Sequence, residues 1–234
     1  MDYDRALEHR LFIISADLGK VNDFTAITIT ERIMRRDRAT YKNRPWNPVN
    51  ENPRKYSREF HLRHIERPPL GTSYPDIVQR IKELHDSPQL HEQDKAIVID
   101  ITGVGQPVWD MLVAAKIMPI INGIYITGGM NESREHQMGG LKFCVPKRNL
   151  ITGLQIAFQN GELQIAGGLP LRDVLVKELI NFKVKINING HDQYEADREG
   201  ANDDLVLSAC MGYWAGMNAT TATSGLRYIW EYWG

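Results

Sequence analysis

The strongest constraint on the fold is a pair of short apolar runs that each end in an aspartate. Leu11 to Ala16 reads LFIISA and leads into Asp17, and Ala96 to Ile99 reads AIVI and leads into Asp100. Apolar runs of this length, rich in β-branched residues, predict buried strands. The carboxyl end of a buried strand lies at a sheet edge, where clefts form. The two aspartates are therefore expected at the edge of a central sheet.

Helices are predicted between further strands along the chain. Phe24 to Thr30 reads FTAITIT and follows Asp17 after a short polar turn, which predicts a leading β-hairpin. Ser73 before Pro75 is typical of a helix start, and apolar residues at helical spacing follow it. Further helices are expected at about 107–116, 147–160, 169–181 and 203–217, and further strands at about 57–65, 120–126, 162–165 and 182–188. This alternation predicts an α/β fold, a sheet layered with helices.

Composition indicates a soluble globular protein. The chain has 234 residues, of which 42% are hydrophobic and 24% charged, and these values exclude a mainly disordered chain. The segment from Met1 to Arg10 is charged, and no apolar run reaches the roughly 18 residues of a membrane span. Cys144 and Cys210 have neither metal-ligand spacing nor a disulfide-framework pattern, which favours a reducing compartment. A cytoplasmic protein without a membrane partner is expected.

Positive charge is concentrated in one part of the chain. The formal net charge is −1, but the segment from Glu31 to Arg67 has 11 Lys and Arg against 5 Asp and Glu, which leaves −7 for the remainder. Residues at about 31–56 lose strand periodicity and contain three prolines, so they are predicted to form a basic loop or hairpin insertion. This insertion is interpreted either as an arm that grips nucleic-acid phosphates or as a solvated charged loop.

A third acidic position, Asp203–Asp204, opens the apolar helix LVLSACMGYW. Three carboxylates in one cleft repel each other strongly unless a cation neutralises them. Oxygen ligands without cysteine favour Mg²⁺ or Mn²⁺, and two such ions are the usual apparatus of phosphodiester hydrolysis. Asp17, Asp100 and Asp204 are therefore the predicted catalytic metal ligands, with Asp203 as helix cap or secondary ligand. Taken singly, each aspartate could instead be a turn former or an N-cap.

Three segments of the sequence resemble the nuclease motifs of phage terminase large subunits. DLGKVNDFTAITI resembles the first motif, VIDITGVGQPVWDML the second, with its acidic residue at Asp100, and GANDDLVLSACMGYW the third. The intervening segment that begins FCVPKRNLITGLQ is also similar to the prophage branch of this group. The resemblance runs from about Leu11 to Trp214, and the order of the motifs makes it more specific than any one of them.

The resemblance implies an RNase H/RuvC-like fold and an endodeoxyribonuclease. Such an enzyme cleaves double-stranded DNA with little sequence preference during genome packaging in the host cytoplasm, using two divalent metal ions. The family's partners are a packaging ATPase domain, the portal and the small terminase subunit. This chain contains no G-x-x-x-x-G-K-[ST] phosphate loop. Residues 1–234 are therefore expected to form a single nuclease domain without the ATPase.

Basic side chains close to the motifs and in the insertion are the candidate DNA contacts. They are Lys20, Arg32, Arg35, Arg36, Arg38, Lys147 and Arg148. Lysine and arginine bind phosphates, so these residues would hold the duplex next to the aspartates.

Other function classes remain open at this point. A Holliday-junction resolvase, or an RNase H that cleaves RNA–DNA hybrids, shares the fold and the metal chemistry. An actin-like or sugar-kinase-like ATPase also carries Asp-x-Gly after a strand, as at Asp17 to Gly19, but that fold needs a second such hairpin, which this sequence lacks. A non-catalytic binding module would have no reason to keep three mutually repelling carboxylates.

Overall fold

The computed structural model describes residues 8–19, 23–36, 56–117, 121–137, 140–186, 192–196 and 203–218. Two of the predicted DNA contacts, Lys20 and Arg38, lie outside these residues, and so does the side chain of Arg36.

Strands and helices alternate along the chain as the sequence predicts. The strands are β1 (Glu8–Asp17), β2 (Ala26–Arg36), β3 (Tyr56–Glu66), β4 (Lys95–Asp100), β5 (Ile121–Thr127), β6 (Ser133–Gln137), β7 (Gly140–Pro146), β8 (Leu163–Ile165), β9 (Phe182–Ile186) and β10 (Asp192–Ala196). The helices are α1 (Tyr74–His85), α2 (Gly105–Ala114), α3 (Lys147–Gln159), α4 (Arg172–Asn181) and α5 (Asp204–Asn218), with a 3-10 turn at Pro88–Leu90.

Eight of the strands form one mixed sheet in the order β6-β7-β5-β4-β1-β2-β3-β8. β1, β2 and β3 form an antiparallel meander, whereas β4 and β5 join the other side of β1 in parallel. β9 and β10 pair separately as an antiparallel hairpin. The predicted mixed sheet flanked by helices is therefore confirmed.

The basic insertion is flanked by regular strands. Of the two alternatives predicted for residues 31–56, a loop or a hairpin, the flanking strands agree with a hairpin, because β2 continues to Arg36 and stays paired with β3 down to Tyr56; residues 37–55 lie outside the described part of the chain. The ends of the predicted insertion thus belong to an antiparallel ladder that extends the central sheet.

Each face of the sheet packs against its own helices. Leu11 and Ile13 of β1 belong to a core that contains the apolar side of α5, and Ile14 and Ala16 belong to a second core with α1 and α2. Successive side chains of a strand point to opposite faces. Asp17 shares the alternation of Leu11 and Ile13, so it lies on the α5 face of the sheet.

Helix α5 lies unusually close to this face. A Cβ added at Gly212 would come within 2.8 Å of both the Ser15 and the Thr30 hydroxyl oxygens, and one at Gly216 within 2.6 Å of the Phe60 ring. The Ser208 hydroxyl donates to the Ser15 carbonyl at 2.9 Å. These contacts fix the axial position of α5 on β1 and β2, and with it the position of the acidic residues where the helix begins.

Within the described residues, no helix is both long and apolar enough to cross a membrane.

Candidate functional site

Asp17 and Asp100 end two neighbouring parallel strands. The register pairs Ala16 of β1 with Ile99 of β4, so the two aspartates follow side by side, on strands that lie about 4.8 Å apart. The Thr102 amide donates to the Asp100 carboxylate at 2.7 Å. The structure thus places Asp17 and Asp100 side by side at one edge of the sheet, where the sequence predicts them.

The turns that follow both aspartates depend on glycine. A Cβ added at Gly105 would lie 1.9 Å from the Asp100 carbonyl oxygen, and one at Gly19 would lie 2.3 Å from the Asp23 carbonyl oxygen. Such distances are shorter than any tolerable contact, so a side chain at either position would displace the backbone that carries the carboxylates.

The beginning of α5 faces the same edge. The Asp203 carbonyl accepts from the Leu207 amide at 2.9 Å, so the helical hydrogen bonds start at Asp203. Burial, followed by repulsion from Asp100, Asp203 and Asp204 in that order, raises the pKa of Asp17 well above its usual value. The four carboxylates therefore share one electrostatic site.

The pKa of Asp100 is shifted as well. Burial raises the pKa of Asp100, while hydrogen bonds from Thr102 and from the Asp17 carboxyl, together with the positive charge of Lys147, oppose that rise. Like charges brought together in a partly dry site favour the protonated form of a carboxyl group.

Lys147 provides positive charge inside this acidic group. It is the first residue of α3, directly after β7, and its Nζ donates to Asp203 Oδ2 at 2.8 Å. The exposed fractions of the two side chains are 26% and 29%. Lys147 was predicted as a DNA contact, and the structure places it among the carboxylates.

Asp204 is bound by an arginine that follows β3. Arg67 donates from Nε to Asp204 Oδ2 at 2.8 Å and from Nη2 to Asp204 Oδ1 at 2.9 Å. The same Nη2 donates to Glu178 Oε1 of α4 at 2.7 Å, and the guanidinium lies 4.9 Å from the centre of the Phe24 ring. Burial, with repulsion from Asp204, raises the pKa of Glu178 to about 7 although Arg67 opposes the shift.

Arg67 and Glu178 are site residues that the sequence analysis did not find. They lie 137 and 26 positions from Asp204 along the chain, and neither belongs to a motif. The only local signal is that Arg67 precedes the Pro68–Pro69 pair that closes the β3 segment.

The predicted DNA contacts have different outcomes. The prediction that Arg32 contacts DNA is wrong, because its side chain is only 2% exposed. Its Nη1 instead donates to the Gly216 carbonyl of α5 at 2.9 Å. Arg35 lies on the opposite face of the sheet and binds Glu8 and Glu59. Arg148 is half-buried at the start of α3.

The carboxylates at this edge of the sheet are the type of ligand that a hard divalent cation prefers. Within the part of the chain that the structure describes, no three His, Cys, Asp or Glu side chains converge into a complete ligand group. The donors at the edge are all carboxylates, which favour Mg²⁺ or Mn²⁺. Their mutual repulsion, expressed in the raised pKa of Asp17, is what a bound cation would relieve.

Solved structures with a similar fold include phage terminase nuclease domains. The chain matches the large terminase nuclease from thermophilic phage G20c with bound magnesium at 20% identity over 88% of this chain and 81% of that chain, with a TM-score of 0.54. The form with bound cobalt matches equally well. The Thermus phage P74-26 large terminase nuclease domain matches at 16% identity over 94% of this chain and 84% of that chain, with a TM-score of 0.50.

No family model matches the sequence, and neither does any curated protein. At identities of 16–20% the structural matches concern the fold. The chain therefore has the RNase H-like fold of phage large terminase nuclease domains.

Proposed function

We propose that this chain is a metal-dependent endonuclease that cleaves double-stranded DNA during phage genome packaging. The observation that carries the proposal is the pairing of Asp17 and Asp100 at adjacent strand ends, facing the acidic start of α5. The G20c nuclease with the same fold was solved with magnesium and with cobalt, which supports the choice of a divalent cation.

The ligands in this proposal are Asp17, Asp100 and one carboxylate of the Asp203–Asp204 pair. Two divalent ions bound there would supply an activated water and stabilise the leaving oxygen. A cation bound there would require Asp17 and Asp100 to be ionised, although burial raises the pKa of each. Lys147, which contacts Asp203 beside the carboxylates, would be placed to bind a DNA phosphate there.

The DNA would lie across the carboxyl edge of the sheet, with Lys147 and Arg148 at the start of α3 as its nearest basic contacts. Lys20, Arg36 and Arg38 stay candidates for the phosphate grip. The packaging ATPase domain, the portal and the small terminase subunit remain the partners implied by the resemblance, and the chain itself is proposed to be a single nuclease domain.

A plasmid cleavage assay tests the proposal. With Mg²⁺ or Mn²⁺, the protein should nick and linearise supercoiled plasmid, and EDTA should stop the reaction. Asp17→Asn and Asp100→Asn should abolish cleavage while DNA binding persists. Asp110→Asn is the matched control, because this exposed aspartate of α2 contacts Gln106 away from the site.

The substrate decides between the related nucleases. Linear or plasmid duplex should be cut faster than a four-way junction or an RNA–DNA hybrid of equal length. Preferential cleavage of the junction would make the protein a resolvase, and preferential cleavage of the hybrid would make it an RNase H. Full cleavage of plasmid by Asp100→Asn would contradict the metal mechanism itself.

A further inference from the structure

We propose that Arg67, supported by Glu178, withdraws Asp204 from the metal ligands and makes Asp203 the ligand that α5 contributes. This inference rests on the proposed function, since it specifies which carboxylate of the pair acts there. Arg67 is in this sense a positioning residue: it contacts neither the proposed ions nor the substrate, but it holds the Asp204 carboxylate away from the ions.

Both oxygens of Asp204 are already engaged. The guanidinium of Arg67 approaches them edge-on, with donor–acceptor distances of 2.8 and 2.9 Å. Two parallel charge-assisted hydrogen bonds of this kind are the strongest contacts that an arginine makes with a carboxylate. A divalent cation that approached the same oxygens would meet a fixed positive charge within a few ångströms.

Burial makes this contact costly to open. The exposed fractions of the Arg67, Asp204 and Glu178 side chains are 13%, 8% and 11%. Moving Arg67 aside would leave two buried carboxylates without their cation, which is strongly unfavourable. The guanidinium is held further by the Phe24 ring, 4.9 Å from its centre.

Asp203 is held much less firmly. It accepts one hydrogen bond of 2.8 Å from Lys147, and both side chains are about a quarter exposed. Lysine is a point charge on a flexible stem, so a cation can replace it without separating buried ions.

The Arg67 cluster joins three separate elements. Arg67 follows β3, Glu178 belongs to α4, and Asp204 is the first residue of α5. Through Arg67, β3 and α4 together hold the Asp204 carboxylate at the start of α5.

Isothermal titration calorimetry with Mn²⁺, on the wild-type protein and its variants, tests which carboxylate is the ligand. Asp203→Asn should weaken Mn²⁺ binding by on the order of tenfold or more, since even residues behind the ligands change metal affinity by 10–100-fold. Asp204→Asn should retain binding within about threefold, and it leaves the contact of Arg67 with Glu178 in place. The opposite ranking would overturn the inference.

A second pair of variants tests the role of Arg67. Arg67→Met frees the Asp204 carboxylate, so Mn²⁺ should bind severalfold more tightly while cleavage falls. Adding Asp204→Asn should return the affinity to the wild-type range, and Arg67→Lys should restore part of the cleavage. Weaker Mn²⁺ binding in Arg67→Met that persists in the double variant would contradict the inference.

Arg63→Met is the matched control for Arg67→Met. Arg63 binds the buried carboxylate of Glu31, which keeps a second partner in Arg10 when Arg63 is removed. This ion pair is distant from the site along β1, because Glu31 lies opposite Phe12, five residues before Asp17. Its removal should leave Mn²⁺ affinity unchanged. If Arg67→Met fails to fold by circular dichroism, the Asp203→Asn and Asp204→Asn comparison decides the matter, because both variants keep Arg67.

The two proposals fail in different ways. A wild-type protein that neither binds Mn²⁺ nor cuts DNA would refute the proposed nuclease function. A wild-type protein that does both, but loses Mn²⁺ binding in Asp204→Asn and keeps it in Asp203→Asn, would refute only the role given to Arg67.

Discussion

Asp17→Asn should make the metal-free protein more stable while it abolishes the proposed activity. Asp17 and Asp100 end adjacent strands, so their charges lie about 5 Å apart. At an effective dielectric constant of about 20, two like charges at that distance repel by about 3 kcal/mol. Asparagine keeps the size of the side chain and can donate to Asp100, so a gain of about 1–3 kcal/mol is expected at pH 8.

The gain should depend on pH in a defined direction. Because the folded pKa of Asp17 is raised, the native state binds the proton more tightly than the unfolded chain does. The wild type therefore loses stability as the pH rises from the ordinary value of 3.8 through the raised folded value. The difference between the two proteins should be small in acid and largest above that window.

Urea unfolding followed by tryptophan fluorescence in EDTA measures this difference at pH 5 and pH 8. Adding Mg²⁺ at about 100 times its dissociation constant should stabilise the wild type by about 2.7 kcal/mol and leave Asp17→Asn unchanged. Asp110→Asn, at an exposed position, should behave as the wild type. A variant less stable than the wild type at pH 8 would refute the repulsion on which the metal site is argued.

Three further results are expected. Glu178→Gln should reduce the loss of stability that the wild type shows as the pH rises from about 4.5 to 7. A folded pKa of about 7 for Glu178 means that ionising this side chain costs the folded state up to about 3 kcal/mol. Urea denaturation at several pH values in that range measures the free energy of unfolding of both proteins. Gly105→Ala should lower the melting temperature by several degrees, since its Cβ would lie 1.9 Å from the Asp100 carbonyl. Arg32→Met should lower stability yet keep the salt dependence of DNA binding, whereas Arg148→Ala should reduce the slope of log affinity against log salt by about 0.9.

Short windows of sequence were enough to predict the centre of the fold. The runs before Asp17 and Asp100 have the composition and length of buried strands, and Ser73 caps α1 as expected. These features depend on neighbours within a few residues, so periodicity and capping chemistry reveal them. Strands β6, β7 and β10 were not predicted; β6 (SREHQ) and β10 (DQYEA) are polar and have no apolar run that would indicate a strand.

The partners of the charged residues were decided by the tertiary structure. Arg32 looked like part of a basic arm, but β2 extends through it and strand alternation turns its side chain under α5. Asp203 and Asp204 are equivalent in sequence, and only the packing of β3 and α4 against α5 assigns Arg67 to one and leaves Lys147 to the other. The sequence alone determined that carboxylates gather at one sheet edge. Which partner each of the paired aspartates receives depends on contacts between residues 56 and 137 positions apart along the chain, and no local pattern encodes those.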